Sequence, residues 1–195
     1  MLNNRAITKE LKRGSIYVEN GDKTLDRDFI NITLGSTLKV YDAPALQVTE
    51  KTPVKEIIIP ENGLVLMPNK LYIGATKEYT RTNGFVPMLT GNDELAVLGL
   101  KTHITAGFGD NGFEGTWTLE IECAMPTIVY RDMPMGCIYY VPIIGDGNIL
   151  YRGKYFKQIE PTASKLNKEY EPTRTLRKVT GHVNNKWNQK ANGTW

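Results

Sequence analysis

Only two cysteines and two histidines occur in the 195 residues. That scarcity excludes most metal chemistry. There is no CxxC, no HExxH and no Cys/His cluster, so no zinc site is expected. The HxE and PCxxC pair that zinc nucleobase deaminases need is missing too. Two cysteines do not build a disulfide framework. Cys123 and Cys137 sit in apolar runs and are expected as buried free thiols. No apolar run reaches eighteen residues, so no membrane span is expected. The opening MLNNRAITKELKRGSIYV has no apolar leader core, which places the chain in a reducing cytoplasm. GFGDNG at 107–112 has the GxGxxG spacing but lacks the lysine and the following helix of a phosphate loop, so it is discounted; GxxxxGK[ST] and the GxSxG elbow do not occur.

What is present is β-type sequence. After one amphipathic stretch, NRAITKELKR at 4–13, the chain runs SIYV, FINITL, TLKVY, KEIIIP, LVLM, LYIGAT, TLEIEC, TIVY, CIYYVPII and ILYRGKYF. These are short runs rich in Ile, Val, Tyr and Thr, bounded by turn residues. ENG at 61–63 and GDGN at 145–148 read as hairpin turns. The pattern predicts an all-β sandwich, jelly roll or barrel, with a helix over 4–13 and one helical turn in ELAVLGL at 94–100. The right half of GNDELAVLGL reads as buried. From about Pro161 the pattern fades, so the expected organisation is a β domain over 1–160 and a basic arm over 161–195.

Charge is unevenly divided. Residues 151–195 carry ten Lys or Arg against three Asp or Glu, leaving fourteen against eighteen in residues 1–150. A basic tail can meet phosphate, nucleic acid or an acidic partner, but composition alone favours a solvated terminus. No specific nucleic-acid partner is expected.

The carboxylates are the remaining chemistry. In TWTLEIEC, alternation puts Thr116, Thr118, Glu120 and Glu122 on one face and Trp117, Leu119 and Ile121 on the other. Two glutamates at i,i+2 ordinarily mark a solvated face, and periodicity favours that. On a strand beside a cleft, one of them can act as a general base. Asp110 lies in the tight loop AGFGDNGFEG. His103, among β-type neighbours, is expected to be structural rather than a base.

RGSIYV, DFINITLGSTLKVY, PNKLYIGATKEYT, GNDELAVLGLKTHITAGFGDNGFEGTWTLEIE and MPMGCIYYVPI follow one another in an order that resembles the trimeric dUTPase and dCTP deaminase superfamily. The match is closer to the deaminase branch and covers roughly residues 2–143. The resemblance implies a distorted jelly roll, a homotrimer, and nucleotide sites between subunits that work without zinc. It makes Glu120 the base that activates water against C4 of cytosine. Ala106 then supplies a backbone carbonyl to that water, and Asp110 matches the turn aspartate of the dUTPase branch. Asn31 stands where the family usually has an aspartate, and Phe108 where deaminases commonly carry an arginine. Lys168, Tyr170, Arg174 and Arg177 match the tail that closes on phosphate.

One block departs from the family. GNDELAV aligns with Gly-Arg-Ser-Ser-x-Ala-Arg. Asn92 replaces the first arginine, Asp93 and Glu94 replace the serines, and Val97 replaces the second arginine. Like charges at 4 Å cost about 4 kcal/mol at an effective dielectric near 20. A bare triphosphate would therefore be repelled there. Mg²⁺ bridging Asp93 or Glu94 to phosphate would relieve this, as would donors from the basic arm. Two functions stay open at this level: a divergent deoxynucleotide deaminase or pyrophosphatase, and a non-catalytic trimer that sequesters a nucleotide or docks on a protein partner. Trp187 and Trp195 are further candidates for base stacking or subunit packing. Small size and the Lys, Asn and Tyr content fit a viral or mobile-element source.

Overall fold

The computed structural model describes residues 1–145 and 149–170. The chain opens with helix α1 (Asn4–Arg13), strand β1 (Ile16–Val18), the short turn α2 (Gly21–Thr24), and strands β2 (Leu25–Asp26), β3 (Phe29–Thr33) and β4 (Thr37–Tyr41). Strands β5 (Val54–Ile58), β6 (Leu64–Leu66), β7 (Tyr72–Ala75), β8 (Thr80–Thr82) and β9 (Phe85–Gly91) follow. Helix α3 (Asp93–Val97) interrupts the β pattern before β10 (Leu100–Lys101), β11 (Glu114–Gly115), β12 (Thr118–Cys123), β13 (Thr127–Val129) and β14 (Pro134–Pro142). The protein is mostly β, as the sequence predicts. No helix among the described residues is long and apolar enough to cross a membrane.

Helix α1 starts where Asn3 accepts a hydrogen bond from the Ala6 N–H, and stops at Gly14 in the left-handed conformation. Both are the residue types those positions favour. Ile7 is its buried anchor.

Two sheets matter most. One runs in the order β10-β12-β7-β4-β5, the other β2-β3-β14-β9. Alternation along their strands buries Ile30, Ile32, Leu38, Leu119, Ile121, Ile138 and Tyr140 in one apolar core. Full burial of such a side chain contributes roughly 1.5–3 kcal/mol. Glu78 is the one buried carboxylate among the described residues; it accepts from the Thr33 N–H and hydroxyl, as a buried charge must.

Two compact units divide the chain: residues 1–41 with 54–163, and residues 42–53 with 164–195. In the first lie all the strands of the described residues. In the second, the Asp42 N–H donates to the Pro53 carbonyl, and Leu166–Glu169 form a turn of 3₁₀ helix.

Several expectations need correction. ILYRGKYF is not a strand: the N–H of Tyr151 goes to Asn111, that of Tyr155 to the Tyr151 hydroxyl, and that of Phe156 to Gly153. Those bonds curl the segment into turns. ENG does turn, with the Gly63 N–H on the Pro60 carbonyl, yet it makes no hairpin, because β5 pairs with β4 and β6 with β13. Of GDGN only Gly145 is described. FVPMLTG was not foreseen as a strand, yet β9 pairs along β14 from Gly136 to Pro142. Cys123 is buried but Cys137 only half so, and both are free; Cys137 points away from the face that carries Ile138 and Tyr140. The apolar half of GNDELAVLGL is not uniformly buried either. Leu100 is in the core, but Val97 is 87% exposed and Leu98 65%, because so short a helix can turn only one side inward.

Candidate active site

Strand β12 positions the central group. Its burial alternates along TLEIEC, with Leu119 and Ile121 in the core and Thr118, Glu120 and Glu122 on the other face. Glu120 lies opposite Ile73 of β7. Its carboxylate is 2.7 Å from Nδ1 of His103. His103, expected to be structural rather than a base, is the partner of the strand glutamate. The ring also meets the backbone carbonyl of Ala106. Neither contact is in line, so both buried ring nitrogens lack a well-aligned partner. Glu120 nevertheless raises the His103 pKa above the ordinary histidine value, against the opposing effect of burial. His103 thus joins Glu120 and Ala106, two of the residues the sequence singles out.

A residue the sequence did not suggest completes this face. Gln158 donates from its side-chain amide to the Thr116 carbonyl at 2.8 Å and the Thr118 hydroxyl at 3.1 Å. Thr118 is two residues from Glu120 on the same side of β12. The Gln158 amide oxygen is buried with no partner. The segment lies tight against Gly115, whose φ is 141° and where a Cβ would stand 2.6 Å from the Gln158 carbonyl oxygen. Only glycine fits there.

The other candidates lie elsewhere. Asp110 is exposed, and its carbonyl accepts from the Phe113 N–H; its carboxylate touches neither Glu120 nor His103. Phe108 is 74% exposed and bridges to Met88 of β9. Asn31, on β3, faces Cys137 of β14 and donates to the Thr24 carbonyl. Burial, and then the nearby charge of Asp93, push the Cys137 thiol up. Asn31 and Cys137 therefore share a register position of the second sheet, and Asp93 of α3 is near the thiol.

Helix α3 begins at Asn92, whose side chain accepts from the Leu95 N–H. Asp93 and Glu94 fill its first turn, and no basic residue stands in its last. Asp93 accepts from the Glu94 N–H at 3.1 Å. Among the described residues no group of three or more His, Cys, Asp or Glu is placed to hold a metal. Two adjacent carboxylates cannot cage Mg²⁺, but suit an ion that keeps its remaining ligands from water and phosphate. Lys168 and Tyr170 belong to the second compact unit; burial, and then Lys168, lower the pKa of Lys165. Arg174, Arg177, Trp187 and Trp195 lie outside the described residues.

Comparison with known proteins bears on this geometry. The sequence model of the family described as dCTP deaminase-like matches residues 1–142. A protein of Clostridium beijerinckii named "dCTP deaminase, dUMP-forming" is 40% identical over 173 residues, 88% of this chain and 99% of that one. A protein of the same name from Cytophaga hutchinsonii is 43% identical over 152 residues, 77% of this chain and 87% of that one. Nothing in these bacterial relatives supports a viral or mobile-element source. The crystal structure of 2'-deoxycytidine 5'-triphosphate deaminase from Agrobacterium tumefaciens superposes with a TM-score of 0.57 at 16% identity, over 71% of this chain and 47% of that one. That likeness concerns the fold alone. By its length of match and its identity to these relatives, the chain belongs to the dCTP deaminase-like family.

Proposed function

We propose that the chain is a zinc-independent hydrolase that deaminates a deoxycytidine nucleotide. The observation that carries this reading is the close pairing of Glu120 with His103 beside Ala106. The names of its relatives support dCTP as the substrate. Water held between the Glu120 carboxylate and the Ala106 carbonyl attacks C4. Glu120 accepts the water proton as the C–O bond forms and delivers it to the ring nitrogen N3. The second proton leaves with the exocyclic amine as ammonia, the C–N bond breaks, and a carbonyl remains at C4. Protonated His103 holds the Glu120 carboxylate in place through this cycle. General-base action of this kind contributes roughly 10²–10⁴-fold.

The phosphates call for a separate account. Asp93 and Glu94 would meet them through Mg²⁺, which on binding offsets the charge of the nucleotide. A distorted jelly-roll homotrimer with sites between subunits belongs to the same proposal, and light scattering tests it: a clean monomer would contradict it. One observation favours a second reading, capture without turnover. It is the acidic first turn of α3, which offers a phosphate no cation of its own.

The deciding experiment is binding and product analysis over dCTP, dUTP, dCMP and dUMP, with and without Mg²⁺. Uracil-containing product from a cytosine nucleotide supports the enzyme. Monophosphate as the product adds phosphate cleavage to it. Tight binding with the nucleotide recovered unchanged sinks the enzyme and supports capture.

A further inference from the structure

The strands β4, β7 and β12 share one register row. Lys39 of β4 lies opposite Ile73 of β7, and Glu120 of β12 lies opposite the same Ile73. Residues in one row point to the same side of a sheet. At about 4.8 Å per strand, the Lys39 and Glu120 backbones stand about 10 Å apart. Leu38 and Leu119, one residue away from each, are both fully buried, so the row faces away from the core.

Lys39 is unusual for a lysine on an outer face. Its side chain is only 18% exposed, and its ammonium lies between two carboxylates, Glu56 at 3.7 Å and Glu160 at 3.6 Å. Glu56 is its cross-strand neighbour on β5. Glu160 is in no strand. It lies two residues beyond Gln158, whose carbonyl accepts from the Thr116 N–H at 2.9 Å and whose side chain holds Thr118. The stretch 158–160 therefore crosses the sheet as a strap, tied at β12 by Gln158 and at β4 by Lys39. It spans the strands that flank Ile73, alongside Glu120.

We propose that Lys39 is a positioning residue for the site: through Glu160 it holds this strap in place beside Glu120. The proposal rests on the deaminase reading for its effect on substrate, though not for its effect on the strap. Lys39 touches neither Glu120 nor the reacting atoms. Its removal leaves Glu56 and Glu160 facing each other without a cation, and the strap loses its far tie.

The test uses the full chain. In Lys39→Gln, amide exchange at Thr116, which donates to the strap, should quicken about threefold to tenfold, the range set by a weak ion pair. KM for the cytosine nucleotide should rise by a similar factor, while kcat stays within about twofold. Lys39→Arg should keep both values, and the charge-reversed pair Lys39→Glu with Glu160→Lys should recover most of the loss seen in either single variant. Unchanged exchange in Lys39→Gln overturns the proposal, as does a fall in kcat at constant KM. Failure of the reversed pair to recover overturns it too. A wild type that turns over no cytosine nucleotide contradicts the deaminase reading instead; the exchange rates and nucleotide affinity by calorimetry then decide the role of Lys39.

Discussion

The Glu120 row and helix α3 handle charge in opposite ways. In the row each carboxylate is answered: Glu120 by His103, Glu56 and Glu160 by Lys39. At the start of α3, Asp93 and Glu94 stand side by side, exposed, with no ion pair among the described residues. On the deaminase proposal the first region moves the proton and the second meets the phosphates, so chemistry and substrate grip should be separable by mutation.

The largest effect should come from the chemical half. Glu120→Gln should lower kcat by roughly 10²–10⁴-fold, with nucleotide affinity by calorimetry altered only slightly. Equal losses in turnover and affinity would mean that Glu120 binds rather than catalyses. Next comes the grip. Without Mg²⁺, Asp93→Ser combined with Glu94→Ser should raise dCTP affinity about tenfold or more, since two repulsive charges leave the site. An unchanged affinity would place the phosphates elsewhere. A smaller effect is expected from removing Mg²⁺ with a chelator. Wild type should lose triphosphate affinity severalfold, and the double serine variant should not.

The smallest effect concerns His103. Its pKa is raised in the folded state by Glu120, so the pairing stabilises fully below the unfolded value near 6.5 and fades as pH climbs through the folded value. Wild type should lose a few degrees of Tm at most across that window, and His103→Asn should not show that loss. Parallel curves would mean the contact carries no stability.

The legible parts were those written in local pattern. Helix α1 runs over 4–13 as expected, and TLEIEC alternates as its sequence says. Strand β9 escaped notice because Pro87 argues against a strand, yet its ring faces Tyr140 at a position the ladder tolerates. The pairing of His103 was not legible because its partner comes seventeen residues later on a strand whose register no local pattern reveals. Lys39 gave no signal for the same reason: only the alignment of three strands puts it in the same row as Glu120. Residues 149–156 misled in the opposite sense, since aromatic and branched side chains suggested a strand. There Arg152 and Lys157 instead lie over the Phe156 ring, and the backbone bonds to Asn111 and Gly153 form no ladder. The family resemblance singles out Glu120 and Ala106 as candidates, but does not show what they pair with.

The ladder between β3 and β14 has a consequence for how the chain is made. Ile30 pairs with Ile138, so this central strand waits for a partner about a hundred residues downstream. At roughly 5–20 residues per second of synthesis, that wait lasts about 5–20 seconds. For that time the growing chain carries an apolar strand with an open edge. Its production in cells should therefore respond to the supply of ribosome-associated chaperones more than its finished stability would suggest.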